Sequence, residues 1–311
     1  MARLSSCYYK FLRLFLKNIE FNTPTPIEKY NFRGINFFLK RDDLIHKELS
    51  GNKARKILYY LNNLPNNIDS ISSYGSIQSN AMYSLSYFAK VFNLKFYYYA
   101  NHISDYLISN PQGNFKMALD NGMILHEGYS NMKKDSNTLF IKEGIAQKEA
   151  FVGVKELAIE LIKQLGRDRL YNIFLPSGTG ATALFLSKAL KLEKADNFRV
   201  YTSPTVGTKE YLIEQFLELE ESKDYFPIII DSKKKYHFGK LYKEFYHIWL
   251  ELRQELNLEF DLLYDPKGWI TLLDNNLLNS NLVYIHQGGL LGNSTMLDRY
   301  RRKYGDIDEN Y

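Results

Sequence analysis

The chain has 311 residues and one cysteine, Cys7, so it is long enough for two α/β lobes, and no intrachain disulfide scaffold can form. Hydrophobic residues at 45% and charged residues at 24% are a normal globular balance, which excludes extended disorder. The formal charge of +5 is spread out, and its densest run, Lys233-Lys234-Lys235, falls short of the basic stripe with stacking aromatics that nucleic-acid binding needs; it still favours anionic ligands.

At the N-terminus, Lys10, Arg13 and Lys17 interrupt an apolar run, which reads as an amphipathic helix or turn, not a membrane span or signal core. The expectation is a soluble cytoplasmic protein with no membrane partner. Leu39-Lys40-Arg41-Asp42-Asp43-Leu44 follows, then Ser50-Gly51-Asn52-Lys53-Ala54-Arg55-Lys56. Ser-Gly-Asn is a helix-start signal, which puts Lys53 in a first turn. There the positive helix end and its neighbours Arg55 and Lys56 depress its pKa, as a Schiff-base lysine requires. Taken alone, a surface helix with three basic residues explains the segment equally well.

A strand is expected at 71–74. Ser73-Tyr74-Gly75-Ser76-Ile77-Gln78-Ser79-Asn80 then leads into a helix carrying Met82, Leu85, Phe88 and Phe92 at helical spacing. Its start, with the Ser79 hydroxyl and Asn80 amide, suits a carboxylate, although an ordinary N-cap accounts for it too. Strands at 95–100 and 123–126 precede the polar stretch 131–148, and a boundary falls near 150. Leu157, Leu161 and Leu165 mark a helix, and 171–175 a strand. Leu175-Pro176-Ser177-Gly178-Thr179-Gly180-Ala181-Thr182 lies between that strand and a helix over 182–191. Its glycines let backbone approach an anion, as in a phosphate cradle or merely a tight turn. Strands at 198–202, 228–231 and 282–286 alternate with helices at 209–220 and 241–256. This alternation predicts an α/β protein of two open-sheet lobes with mainly parallel strands. Leu263-Tyr264-Asp265-Pro266-Lys267-Gly268 opens a further helix, where Asp265 is either a cap or a carboxylate facing a pyridine nitrogen. The last segment, Tyr284-Ile285-His286-Gln287-Gly288-Gly289-Leu290-Leu291-Gly292, ends a strand with bare backbone. The six histidines show no paired metal-ligand spacing, and no Gly-x-Ser-x-Gly elbow occurs, so a metal enzyme and a serine hydrolase are not expected.

The order and spacing of these segments resemble the D-cysteine desulfhydrase and 1-aminocyclopropane-1-carboxylate (ACC) deaminase family of pyridoxal phosphate (PLP) enzymes, from about Thr25-Pro26 to Gly292. Tyr236-His237-Phe238-Gly239 resembles a stretch in bacterial members. The resemblance implies the fold type II architecture. It also implies a large PLP-binding domain of residues 1–56 and 151–311 and a small domain of 57–150, and homodimers are common in this fold. It implies PLP on Lys53, Asn80 near the ring hydroxyl, and a substrate site of Gln78, Ser79, Asn80 and Tyr264. Ser177, Gly178, Thr179, Gly180, Ala181 and Thr182 would cradle the phosphate with Lys56 close by, and Asp265 would face the ring nitrogen. Lys53, Ser79 and Tyr264 would be the catalytic residues. Two places depart from the family: Pro266 stands where Gly is usual, and Leu241 where Tyr is usual.

Two reactions on a small amino acid follow from the resemblance. β-Elimination of D-cysteine to pyruvate, hydrogen sulfide and ammonia asks only for proton removal by Lys53, and on sequence it ranks first. ACC deamination to 2-oxobutyrate and ammonia has no α-proton to remove and needs a second group, for which Tyr264 is the evident candidate. Family deaminases carry Glu after the Tyr and Leu inside His-x-Gly-Gly, whereas desulfhydrases carry small hydroxyl residues at both. Asp265 leans toward the deaminase and Gln287 matches neither. A homologue that binds PLP or an amino acid without turnover is the alternative of another class.

Overall fold

The computed structural model describes residues 19–49 and 51–305. The N-terminal amphipathic segment, Cys7 and Ser50 lie outside the described residues. Two sheets organise the chain. The larger is ordered β1-β2-β10-β7-β8-β9 and the smaller β5-β4-β3-β6. The strands are β1 Ile27–Phe32, β2 Ile35–Lys40, β3 Ser70–Tyr74, β4 Lys95–Ala100, β5 Met123–Glu127, β6 Thr138–Ile141, β7 Tyr171–Ser177, β8 Phe198–Pro204, β9 Ile228–Ile229 and β10 Leu282–Ile285. All neighbouring pairs are parallel except the β1–β2 hairpin. That hairpin turns at Arg33-Gly34, both with positive φ (50° and 76°), as a tight two-residue turn demands. No strand was expected there or at β6; in β1, Glu28, Lys29 and Asn31 break the apolar run by which a strand is found.

The helices are α1 Gly51–Asn63, α2 Asn80–Val91, α3 Asp105–Ser109, α4 Gly113–Asp120, α5 Phe151–Leu165, α6 Ala181–Leu192, α7 Lys209–Leu217, α8 Lys243–Leu256, α9 Asp265–Asp274 and α10 Asn293–Tyr304. The large sheet is covered on both faces. One core gathers Val154, Leu157 and Leu161 of α5 with Leu184 and Phe185 of α6; the other gathers Trp249, Leu252, Trp269 and Tyr300 of α8 to α10. The small sheet packs on α1, α2 and α4 through Ala54, Ile57, Met82, Leu85 and Phe115. No helix among the described residues is long and apolar enough to cross a membrane.

The Lys40-Arg41-Asp42-Asp43 segment supplies the joint between the sheets. Arg55 of α1 donates from Nη2 to Asp42 Oδ1 (2.7 Å) and from Nη1 to Glu160 Oε1 of α5 (2.6 Å). Lys40 Nζ donates to Glu160 Oε2 (2.7 Å), Gln164 Oε1 (2.8 Å) and the Thr25 carbonyl (2.6 Å). The Thr25 hydroxyl donates to Asp42 Oδ1 at 2.7 Å. Two cations and two carboxylates are thus buried together with their hydrogen-bonding capacity used. Burial would raise both carboxyl pKa values, but Arg55 and Lys40 hold Asp42 and Glu160 below their ordinary range.

Breaking one member leaves a buried charge without its partner. Glu160→Gln is expected to cost about 3–5 kcal/mol in urea unfolding near neutral pH. Because the native carboxyl pKa values are depressed, this stabilisation is full above the unfolded carboxyl range and fades as pH falls through the native values. The gap between wild type and variant therefore narrows in acid, and a constant gap would contradict this assignment.

Candidate active site

A cavity of about 670 Å³ opens between the sheets, where strand ends and helix starts converge. The loop after β3 brings Gln78, Ser79 and Asn80; the loop after β7 brings Ser177 through Gly180 and Thr182; β10 is followed by Gln287 and Gly288. Tyr264 and Asp265 come from the start of α9, and Lys53 and Lys56 from α1. Of the residues expected from sequence, Ala181 alone does not line the cavity: it is fully buried as the first residue of α6.

Lys53 lies in the first turn of α1, enclosed by protein yet facing the cavity. Burial lowers its pKa to about 8 against the opposing pull of Asp261. Its Nζ donates to Asn52 Oδ1 at 2.7 Å. Lys56 falls on the same side of the helix three residues on, and its Nζ donates to the Gly144 carbonyl at 3.0 Å. Burial, and then the neighbouring Lys53, push Lys56 well below the ordinary lysine value.

Gly180 caps α6 with φ +75°, and no side chain caps the first N–H groups of that helix. A Cβ on Gly180 would stand 2.4 Å from Phe216 and 2.5 Å from Leu212, so only glycine fits this entry. Ser177 Oγ is paired with Thr202 Oγ1 at 2.6 Å, and Thr182 Oγ1 accepts from Asn52 Nδ2 at 3.3 Å. The Ser79 hydroxyl oxygen caps α2, accepting from Ala81 N (3.1 Å) and Met82 N (3.4 Å), and the same hydroxyl is hydrogen-bonded to the Tyr98 phenol. Asn80 Nδ2 donates to Asp261 Oδ2 (3.3 Å), and Asn80 Oδ1 accepts from Asn114 Nδ2 (2.7 Å), a relay between the two sheets.

Asp265 has both oxygens engaged: Tyr284 Oη donates to Oδ1 (2.6 Å) and the Asp261 N–H to Oδ2 (2.9 Å). Burial raises its pKa to about 8, with Asp261 adding to the rise. Burial also raises Tyr264, so its phenol is protonated at neutral pH. Pro266 sits in the first turn of α9, where its missing N–H costs nothing, so the helix tolerates this departure. Leu241 is a core residue, and Tyr242 does not line the cavity; the aromatic from that segment is Phe238, whose ring lies 5.5 Å from that of Tyr264.

Two carboxyls at the cavity escaped the sequence reading. Asp261 accepts from the N–H groups of Leu263 (2.7 Å) and Tyr264 (2.9 Å), and burial raises its pKa to about 6. The signal was an Asp two and three residues before the N–H groups that it accepts from. Glu143, raised by burial, stands on the loop whose Gly144 carbonyl receives Lys56. It lay in the stretch read as a polar boundary, and nothing in its local pattern marks it.

No family's sequence model matches the chain. A relative in Thermotoga maritima, named "Putative 1-aminocyclopropane-1-carboxylate deaminase", is 23% identical over 306 residues, covering 86% of this chain and 95% of that protein. The crystal structure of an ACC deaminase homologue aligns with a TM-score of 0.72 at 20% identity, over 92% of this chain and 97% of the other. A hydrogen sulfide-producing enzyme from Fusobacterium nucleatum aligns with a TM-score of 0.58 at 15% identity, over 88% and 97% of the two chains. The fold is that of the fold type II PLP-dependent enzymes. In this fold type II chain the cavity lies beyond the carboxyl ends of β3, β7 and β10.

The depressed amine pKa gives a direct expectation. In the cofactor-free chain, trace acetylation of Lys53, read by peptide mass spectrometry, should rise with pH to a midpoint near 8. Exposed lysines should rise only near their ordinary value, about 10.4. A Lys53 midpoint in that ordinary range would contradict the desolvated site.

Proposed function

We propose that the chain holds PLP on Lys53 and deaminates a small amino acid, with ACC as the substrate to test first. The observation that carries the reading is Lys53 itself, a cavity-facing amine with its pKa brought to about 8, within reach of the uncapped start of α6 through the Thr182–Asn52 contact. The residues present fit the cofactor. Bare backbone at Gly178 and Gly180 and the free N–H groups of α6 make an anion cradle for the phosphate, with the Thr179 and Thr182 hydroxyls as further donors. Lys56 stands beside Lys53, and Asp265 and Asp261 are the buried acids for a ring nitrogen and its surroundings. When bound, PLP supplies the electron sink for the carbon bearing the amino group.

The chain's own groups divide the remaining work. Ser79, Gln78 and Asn80, which line the cavity at the start of α2, receive the substrate carboxylate, the Ser79 hydroxyl turning to it from Tyr98. Lys53 moves protons on the face that it occupies. A substrate without an α-proton needs a second group at its β-carbon, and the cavity offers both the protonated Tyr264 phenol and Glu143. The ranking drawn from sequence, which placed D-cysteine first because ACC demands more residues, therefore reverses. Similarity to the relative and the solved homologue named for ACC deaminase favours the same order. Elimination of sulfide from D-cysteine is the second reading, supported by similarity to the hydrogen sulfide-producing enzyme.

The test is the absorbance of the purified protein with PLP. A band near roughly 410–420 nm, absent in Lys53→Ala, is expected. ACC should then give 2-oxobutyrate and ammonia, and Tyr264→Phe should lower that kcat roughly 100-fold or more. Sulfide and pyruvate from D-cysteine with no product from ACC would establish the second reading. A bound cofactor with no product from either would point to a binding homologue, and no band at all would remove the cofactor assignment.

A further inference from the structure

We infer that Gln287 is a positioning residue for Lys53 and acts through Asn52; the inference rests on Lys53 being the reactive amine of the proposed function. The chain of contacts begins at a backbone carbonyl. The Pro176 carbonyl can only accept a hydrogen bond, and Gln287 Nε2 donates to it at 2.8 Å. That bond sets the side-chain amide of Gln287, so its Oε1 faces Asn52 and accepts from Asn52 Nδ2 at 2.7 Å. With Nδ2 so engaged, and shared with Thr182 Oγ1 at 3.3 Å, the Asn52 amide presents Oδ1 to Lys53 Nζ at 2.7 Å. One fixed acceptor at the end of β7 thereby dictates the orientation of two amides and the polarity seen by the lysine.

The backbone reinforces the grip. The Asn52 N–H donates to the Gln287 carbonyl at 3.1 Å. A Cβ on Gly51 would stand 1.8 Å from that same oxygen, so the helix start and the loop after β10 are in direct contact. Gln287 is the residue that fitted neither substrate pattern in the sequence. Both polar ends of its side chain are committed within the protein, which separates its role from substrate choice.

The consequence lies in the lone pair of Nζ. A neutral amine that donates an N–H to Asn52 Oδ1 keeps its lone pair free for bond formation or proton removal. If the Asn52 amide were reversed, Nδ2 would bind that lone pair and oppose the ammonium form. Gln287 thus holds Lys53 in the orientation in which it can react, and its oxygen-facing setting favours the protonated form over the reversed setting.

The test is a double-mutant cycle on the acetylation midpoint of Lys53 in the full-length protein freed of cofactor. Gln287→Leu should lower the midpoint by roughly half a unit or more, since Asn52 is then free to reverse. Asn52→Leu should lower it at least as far, and Gln287→Leu combined with Asn52→Leu should go no further than Asn52→Leu alone. Gln287→Glu keeps an oxygen facing Asn52, so its midpoint should stay at or above that of wild type. An unmoved midpoint in Gln287→Leu, or shifts that add in the double variant, would overturn the proposal even if thermal stability fell. Gln287→Met carries the same expectation should the leucine variant fail to fold. The labelling needs no PLP, so a missing absorbance band with intact coupling would remove the cofactor reading alone.

Discussion

Arg55 fixes the rotation of α1, and the site depends on that rotation. Its guanidinium is held by Asp42 from the segment after β2 and by Glu160 from α5, inside a buried cluster whose formal charges cancel. Residues two apart on a helix point to nearly opposite sides. With Arg55 locked into the cluster, Lys53 is turned toward the cavity, and Lys56 follows it on the same side. A lysine could not take the place of Arg55, because the planar guanidinium meets two carboxylates at once. The cluster also carries the cost of four desolvated charges, which geometry this tight can offset but not turn into a large gain. What it provides is a single orientation for the helix.

Around that orientation the cavity moves acids and bases toward neutrality. Lys53 and Asp265 both sit near pKa 8, shifted from opposite directions by the same absence of water. Asp261, raised to about 6, acts on both through its charge: it pulls Lys53 up and pushes Asp265 up. Groups shifted in this way exchange protons at little cost near neutral pH, which is the property that a site for amine chemistry requires. The Asn114–Asn80–Asp261 relay spans the two sheets, so the value at Asp261 also depends on how the sheets sit against each other.

What the sequence disclosed followed from local chemistry. The helix start at Lys53, the glycine entry to α6 after β7 and the Tyr264-Asp265 turn each carry a recognisable first turn, and those signals survive without any tertiary knowledge. Strand β1, at the sheet edge, was hidden because Glu28, Lys29 and Asn31 leave it no continuous apolar run. Asp261 and Glu143 were hidden for another reason. Their environments are made by distant segments, through Asn80 for Asp261 and through the Lys56–Gly144 contact beside Glu143. The motif Lys40-Arg41-Asp42-Asp43 was visible as a pattern, but its work as the joint between helices could be read only once Glu160 was seen across from it. Ser79 shows the limit in the other direction: the structure displays the ordinary cap at a residue that also lines the cavity, and the local sequence suits either use.

The start of α6 at the cavity bears on how an anion reaches it. It presents backbone N–H groups there that no side chain caps, and these partial charges do not titrate. Burial shifts the two cavity lysines, Lys53 and Lys56, toward the neutral form, Lys56 further than Lys53. Attraction for a phosphate or a carboxylate thus comes in good part from oriented peptide dipoles, which act over roughly one helical turn and are sheltered from counter-ions. Capture of an anionic ligand should accordingly hold up at alkaline pH, where an ordinary lysine pocket would release it. It should also lose less to added salt than the formal charge of +5 would imply.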